Sequence, residues 1–221
     1  MKYQSVFDII GPVMIGPSSS HTAGAARIGK AARSLFGREP NRVMITLYGS
    51  FAKTYKGHGT DVALVGGILG FDTYDNRIVD SLVIAKDFGI EIHFIPSSIE
   101  SEHPNTARIV LKDDKGSIEV VGVSIGGGKV EIIEIEGFKI KISGNHPSLI
   151  VFHEDRHGVI ASVSTTLSKF KINIAYMEVA RKEKGAIAMM VIETDQKMTR
   201  EVLEELELLQ AVRQVALLKT S

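Results

Sequence analysis

Three short stretches of the chain carry side chains able to bind an anion or move a proton. The first, Gly16-Pro17-Ser18-Ser19-Ser20-His21-Thr22-Ala23-Gly24, gathers four hydroxyls and an imidazole between glycines. Pro17 and the serines are helix-start signals, with a serine as N-cap. The unpaired N–H groups and partial positive charge of a helix start suit a carboxylate or a phosphate. A capped helix behind a flexible turn would use the same residues, but three serines followed by His-Thr exceed what one cap requires. The second stretch is Lys53-Thr54-Tyr55-Lys56-Gly57-His58-Gly59-Thr60-Asp61. A histidine between glycines packs little and lets its backbone approach a ligand. By its residues alone, His58 suits a general acid or base as well as a turn histidine in solvent. The third is His103-Pro104-Asn105-Thr106, where Pro104 biases His103 toward extended geometry. Its interest lies in joining two other loops of the same kind.

The pattern around these stretches predicts what positions them. Ile28, Ala32 and Leu35 recur at helical spacing in Ala25 to Phe36, directly behind the serine run. Thr60 and Asp61 mark the start of a second helix through Leu69, and Arg77–Phe88 reads as a third. Val43, Ile45 and Leu47 alternate in one strand, and Ile90, Ile92 and Phe94 in another. From Thr106 the pattern turns to strands, at Ile109–Lys112, Ile118–Ser124, Val130–Ile135 and Phe138–Ile142. Asp113–Gly116 and Glu136-Gly137 supply hairpin turns. The expected class is α+β, with helices on one side of a mostly antiparallel sheet.

A loop of turn residues, Ser143-Gly144-Asn145-His146-Pro147, divides residues 1–145 from a second unit at 146–221. In that unit a strand at Leu149–Phe152 is followed by a helix with the stripe Ile160, Val163, Leu167 and Phe170. Strands at Asn173–Val179 and Ala186–Glu193, a helix through Val202, Leu206 and Leu209, and a strand at Gln214–Lys219 complete it. The order β-α-β-β-α-β is the ferredoxin-like arrangement. Asp155–Gly158, at its first strand-to-helix turn, and Asn173 are places for a small ligand. The same residues would also serve merely to cap a helix and start a strand.

Composition excludes several classes. With 26 basic and 26 acidic residues the net charge is zero, so nothing favours nucleic acid or an anionic membrane. Asp8, Gly11 and Pro12 interrupt the apolar run Val6 to Ile15, and no stretch is long enough to span a bilayer. A cytoplasmic location is expected. The chain has no cysteine, so it offers no thiolate to a metal or an iron–sulfur cluster. Gly66-Gly67 and Gly126-Gly127-Gly128 match neither a dinucleotide fingerprint nor a phosphate loop, and no GxSxG elbow is present.

Together, GPSSSHTAG at Gly16–Gly24, KGHGTD at Lys56–Asp61 and HPNT at His103–Thr106 resemble the beta subunit of the two-subunit, iron–sulfur-dependent L-serine dehydratases. The C-terminal seventy or so residues resemble an ACT domain, a ferredoxin-like module that often binds amino acids. The chain departs from single-chain relatives by reading Gly24-Ala25-Ala26 where those continue Gly-Pro-Met. The resemblance implies conversion of L-serine to pyruvate and ammonia. It places a [4Fe–4S] cluster on a partner alpha chain, one iron polarising the serine hydroxyl as a Lewis acid. It implies catalytic roles for His58, His21, Thr60 and Asp61, with His58 at or near proton transfer. Ser18, Ser19, Ser20 and Thr22 would position the substrate, with His103 and Asn105 supporting them. An effector amino acid would sit near Asp155, Gly158 and Asn173, and the ACT unit would self-associate. Two other readings are a non-catalytic amino-acid sensor resembling the regulatory half of phosphoglycerate dehydrogenase and an assembly scaffold for the alpha chain.

Overall fold

The computed structural model describes residues 13–143 and 147–218. Residues 6–12 of the N-terminal apolar run, Gly144-Asn145-His146 of the expected dividing turn and Lys219 of the last expected strand lie outside the described residues. The chain forms two compact units, and the division between them falls within and just after one strand near residue 140. No helix among the described residues is long and apolar enough to cross a membrane.

The first unit is built on a six-stranded sheet. Its strands are β1 (Arg42–Tyr48), β2 (Glu91–Pro96), β3 (Asn105–Asp113), β4 (Gly116–Gly126), β5 (Lys129–Ile135) and β6 (Phe138–Ile142), in the order β2-β1-β3-β4-β5-β6. The alternation read in β1 is real: Val43, Ile45 and Leu47 are buried while Met44 is exposed. Register carries that face across the sheet. Ile45 lies opposite Ile109, Ile109 opposite Val120, and Val120 opposite Ile135. The next row runs Leu47, Ala107, Gly122, Ile132. β1 pairs with β3, β3 with β4 and β4 with β5 in antiparallel fashion, and the last two pairs are local hairpins. β2 pairs with β1 in parallel, because helical crossover segments separate them in the chain.

Helix α1 (Ala25–Phe36) buries the predicted stripe Ile28, Ala32 and Leu35. Helices α2 (Gly49–Thr54), α3 (Thr60–Ile68) and α4 (Ser81–Asp87) follow β1. α1 and α3 meet backbone to backbone. A Cβ on Gly67 would lie 1.9 Å from the Ala26 carbonyl oxygen, and one on Gly29 would lie 2.1 Å from that of Leu64. The glycines there are thus packing residues and not part of a ligand loop. The single helix expected over Arg77–Phe88 is two pieces. The Asp75 carboxylate accepts from the Arg77 N–H at 2.9 Å and starts a tight 3₁₀ turn over Asn76–Asp80; Asp80 then leaves helical geometry before α4 begins.

The second unit has strands β7 (Ser148–Glu154), β8 (Ile174–Arg181), β9 (Ile187–Thr194) and β10 (Val212–Leu218) in the order β10-β7-β9-β8. Each neighbouring pair is antiparallel, and helices α5 (Val159–Lys169) and α6 (Arg200–Glu207) supply the connections. This is the ferredoxin-like order expected from the sequence. Leu149 and Val151, Met190 and Ile192, Val163 and Leu167, and Val202 and Leu206 form its core.

Candidate active site

In open α/β arrangements ligands collect at the carboxyl ends of parallel strands. Here β1 and β2 end side by side, with the Ser97 N–H donating to the Leu47 carbonyl at 2.8 Å. The chain leaving β1 turns at once into α2, and the chain leaving β2 runs to the His103 loop. These two exits are clamped together. The Pro104 carbonyl accepts from the N–H groups of Ser50 at 2.7 Å and Phe51 at 3.3 Å. Gly49 makes the clamp possible: its φ is +56°, and a Cβ there would lie 2.6 Å from the Pro104 oxygen.

The serine loop closes onto this point. Ser18 is extended, and Ser19–Gly24 form a wide π-type turn that feeds α1. The Ser18 hydroxyl accepts from the His21 N–H at 3.1 Å, so a serine does cap the turn. The His21 ring is held on every side. Its Nε2 lies 2.9 Å from Ser50 Oγ, and its Nδ1 lies 3.4 Å from Ser18 Oγ. Its plane meets Phe51 edge-on with centroids 5.3 Å apart and meets His58 at 4.9 Å and 72°. Burial, and then the nearby His58, push the His21 pKa below that of a free imidazole.

His58 sits on a loop fixed from both ends. Its N–H donates to the Thr54 carbonyl at 3.0 Å, and the Thr60 N–H donates to that of Tyr55 at 2.9 Å. Tyr55 stacks on Phe94 of β2, with centroids 5.7 Å apart. Thr22 Oγ1 reaches the His58 carbonyl at 3.4 Å, tying the two loops together. The His58 side chain is exposed, and among the described residues its ring nitrogens accept or donate no hydrogen bond. Ser20 lies near the β4–β5 turn, 4.0 Å from where a Gly126 Cβ would stand.

The structure therefore brings together Ser18, His21, Thr22 and His58, with Ser20 on the flank. Other expected site residues lie behind this group. Thr60 is fully buried and its hydroxyl has no hydrogen-bond partner among the described residues. Asp61 is half-buried; burial raises its pKa, and its Oδ1 accepts from the Val62 N–H at 2.9 Å. His103 Nδ1 accepts from the Asn105 N–H at 3.2 Å and shapes the clamp loop; no hydrogen bond or ring contact joins it to His21 or His58 among the described residues. Asn105 Nδ2 is 3.5 Å from the Ser124 carbonyl, while Asn105 Oδ1 and Ser124 Oγ are buried without partners among the described residues.

Sequence reading overlooked Ser50 and Phe51. The second motif opens at Lys53 by its residue types, yet the Gly49-Ser50-Phe51 turn at the end of β1 is where all three loops join. The overlooked signal was a Gly-Ser pair immediately after an alternating strand. Gly126–Gly128, which matches no nucleotide loop, joins β4 to β5. The register shifts between Ser124 and Gly126, and this turn lies against the serine loop.

In the second unit, Asp155 Oδ2 accepts from the Gly185 N–H at 2.9 Å and from Arg181 Nη1 at 3.3 Å. These donors, the Gly185 N–H foremost, hold its pKa below the usual carboxylate value. Gly158 opens α5 and lines a cavity of about 290 Å³ with Arg156, His157, Ser162 and Gln210. Asn173 donates to Asp195 Oδ2 at 2.7 Å, beside the carboxyl end of β9. The Asp155 N–H instead bonds the Ala186 carbonyl, at the start of β9. Within one chain, Asn173 is therefore at the opposite end of the sheet from Asp155 and Gly158.

A family model described as serine dehydratase beta chain matches residues 5–134, and one described as ACT domain matches residues 148–207. The chain belongs to the serine dehydratase beta chain family and carries an ACT domain behind that region. It is 59% identical over 215 residues to a probable L-serine dehydratase beta chain of Bacillus subtilis, covering 97% of this chain and 98% of the relative. To the L-serine dehydratase beta chain of Peptoniphilus asaccharolyticus it is 40% identical, covering 90% of each. A D-3-phosphoglycerate dehydrogenase of Bacillus subtilis is 31% identical over 184 residues, which are 82% of this chain but 35% of that enzyme.

Proposed function

We infer that this chain is the beta subunit of an L-serine dehydratase and completes, with an alpha chain, the site that converts L-serine to pyruvate and ammonia. The observation that carries the reading is the meeting of the serine loop, the Ser50 turn and the His58 loop at the carboxyl ends of β1 and β2. A near-full-length likeness to two beta chains supports it.

The family's iron–sulfur cluster does not fit the residues of this chain. The site offers hydroxyls, imidazoles and amides, there is no cysteine, and no group of three or more His, Asp or Glu able to hold a metal occurs among the described residues. We assign the cluster to the alpha chain. The tasks left here are to hold the substrate and to move a proton. The hydroxyls of Ser18, Ser19 and Ser20 and the N–H groups of their turn suit the substrate carboxylate. His58, exposed beside them, takes the proton on the substrate's α-carbon, and His21 holds the group in place. Thr60, Asp61, His103 and Asn105 then act by fixing the loops. In the second unit an amino acid would bind at the Gly158 end of α5, near Asp155, with Asn173 contributed by a second copy.

The test is reconstitution. This chain alone should be colourless and should not turn over L-serine. Adding the alpha chain should restore both the iron–sulfur chromophore and pyruvate formation. Turnover by this chain alone, with iron excluded, would overturn the reading.

A further inference from the structure

We propose that Ser50 is a positioning residue: its hydroxyl donates to His21 Nε2, fixes the ring with its proton on Nδ1, and thereby leaves the Ser18 hydroxyl hydrogen for the substrate. The proposal rests on the dehydratase reading for the identity of the substrate, but its geometry does not.

A neutral imidazole has one N–H and one lone pair, so of two hydroxyls bonded to its two nitrogens one must donate and the other accept. Burial and the neighbouring His58 favour the neutral ring. The two contacts are unequal, 2.9 Å at Ser50 and 3.4 Å at Ser18. Ser18 Oγ already accepts the His21 backbone N–H at 3.1 Å. One oxygen shared between two N–H donors gives two long contacts, as seen here. The short contact is then the one made by a hydroxyl donating to a lone pair. As a double acceptor, Ser18 has its own hydrogen left over, at the mouth of the turn where an anion would sit.

Ser50 is anchored for this task. Its N–H is held by the Pro104 carbonyl at 2.7 Å, and its own carbonyl accepts from Thr54 Oγ1 at 2.8 Å. Phe51, the next residue, is fully buried and packs against the edge of the same imidazole. The HPNT loop thus reaches His21 through the backbone of Ser50, and the hydroxyl passes that placement on to Ser18.

Nitrogen-15 NMR of the full chain labelled at histidine reads the ring directly, with His21→Gln identifying its signals among the seven histidines. At pH 7.5 His21 should show a protonated Nδ1 and a bare Nε2. Ser50→Ala should convert this to a mixture of tautomers with a raised titration midpoint, and Ser50→Thr should keep the wild-type pattern. In the enzyme assembled with the alpha chain, Ser50→Ala should raise KM for L-serine about tenfold with a smaller change in kcat, the scale of one hydrogen bond to a charged group. An Nε2-protonated or charged ring in the wild type would overturn the proposal, as would a His21 spectrum unmoved by Ser50→Ala. If no preparation turns over L-serine, the dehydratase reading fails, and the ring spectrum still decides the relay.

Discussion

At the level of single residues the site divides its labour between two imidazoles in contact. His21 has both nitrogens occupied and a lowered pKa, whereas His58 projects to solvent with its nitrogens unbonded among the described residues. In the assembled enzyme His58→Ala should lower kcat by about 10²-fold or more, the usual scale for losing a general acid or base. Near-normal turnover would remove His58 from the proton step. Ser20→Ala should raise KM for L-serine more than it lowers kcat, and steady-state kinetics separates the two. The pKa of His21 also makes a prediction about folding. Because it is lower in the folded chain, the unfolded chain binds more protons below about pH 6.5. Stability should therefore fall as pH drops from about 6.5 through the folded-state value. Urea titrations at several pH values should show a shallower loss for His21→Gln than for the wild type.

At the level of elements, the helix contact made by Gly29 and Gly67 holds the bases of the two histidine loops. Gly67→Ala must push α3 away from the Ala26 carbonyl. Overpacking of this kind costs about 1–3 kcal/mol, which a denaturation midpoint would register. The elements themselves were largely legible in the sequence, because burial on one face imposes a period. Ile28, Ala32 and Leu35 gave α1, and Val43, Ile45 and Leu47 gave β1. What periodicity does not carry is pairing between distant segments. Nothing local to Ser50 says that Pro104 will bind its N–H, or that His21 will reach its hydroxyl from 29 positions away. The same blindness made Gly66-Gly67 look like a ligand-loop question, when its partner is the backbone of Ala26. The split of the third expected helix was written in Asp75, whose carboxylate competes for a backbone N–H.

The ACT sheet has β8 and β10 at its two edges, and β8 exposes Tyr176 and Val179. Open edges of this kind invite pairing with another strand. The full chain should sediment as a dimer or larger, and Val179→Lys on β8 should shift it toward monomer. Calorimetric titration of L-serine and other amino acids into the full chain tests the effector site. An absence of heat at millimolar ligand, with self-association intact, would leave the unit a dimerisation module.

The position of β1 has a consequence for how the first unit comes into being. β3 through β5 join by short hairpins and can zip up as soon as they collapse, whereas β1 must find β2 and β3 across long stretches of chain. Contacts between distant segments form late, since the loop must be closed before it gains anything. The long-range contacts that assemble the candidate site, from His21 to Ser50 and from Ser50 to Pro104, depend on that late step. During refolding, pulsed hydrogen exchange should protect the amides of β4 and β5 before those of β1 and β2. A chain caught midway would own a finished sheet edge and no site, so an alpha chain present during refolding should meet the meander first and the histidines last.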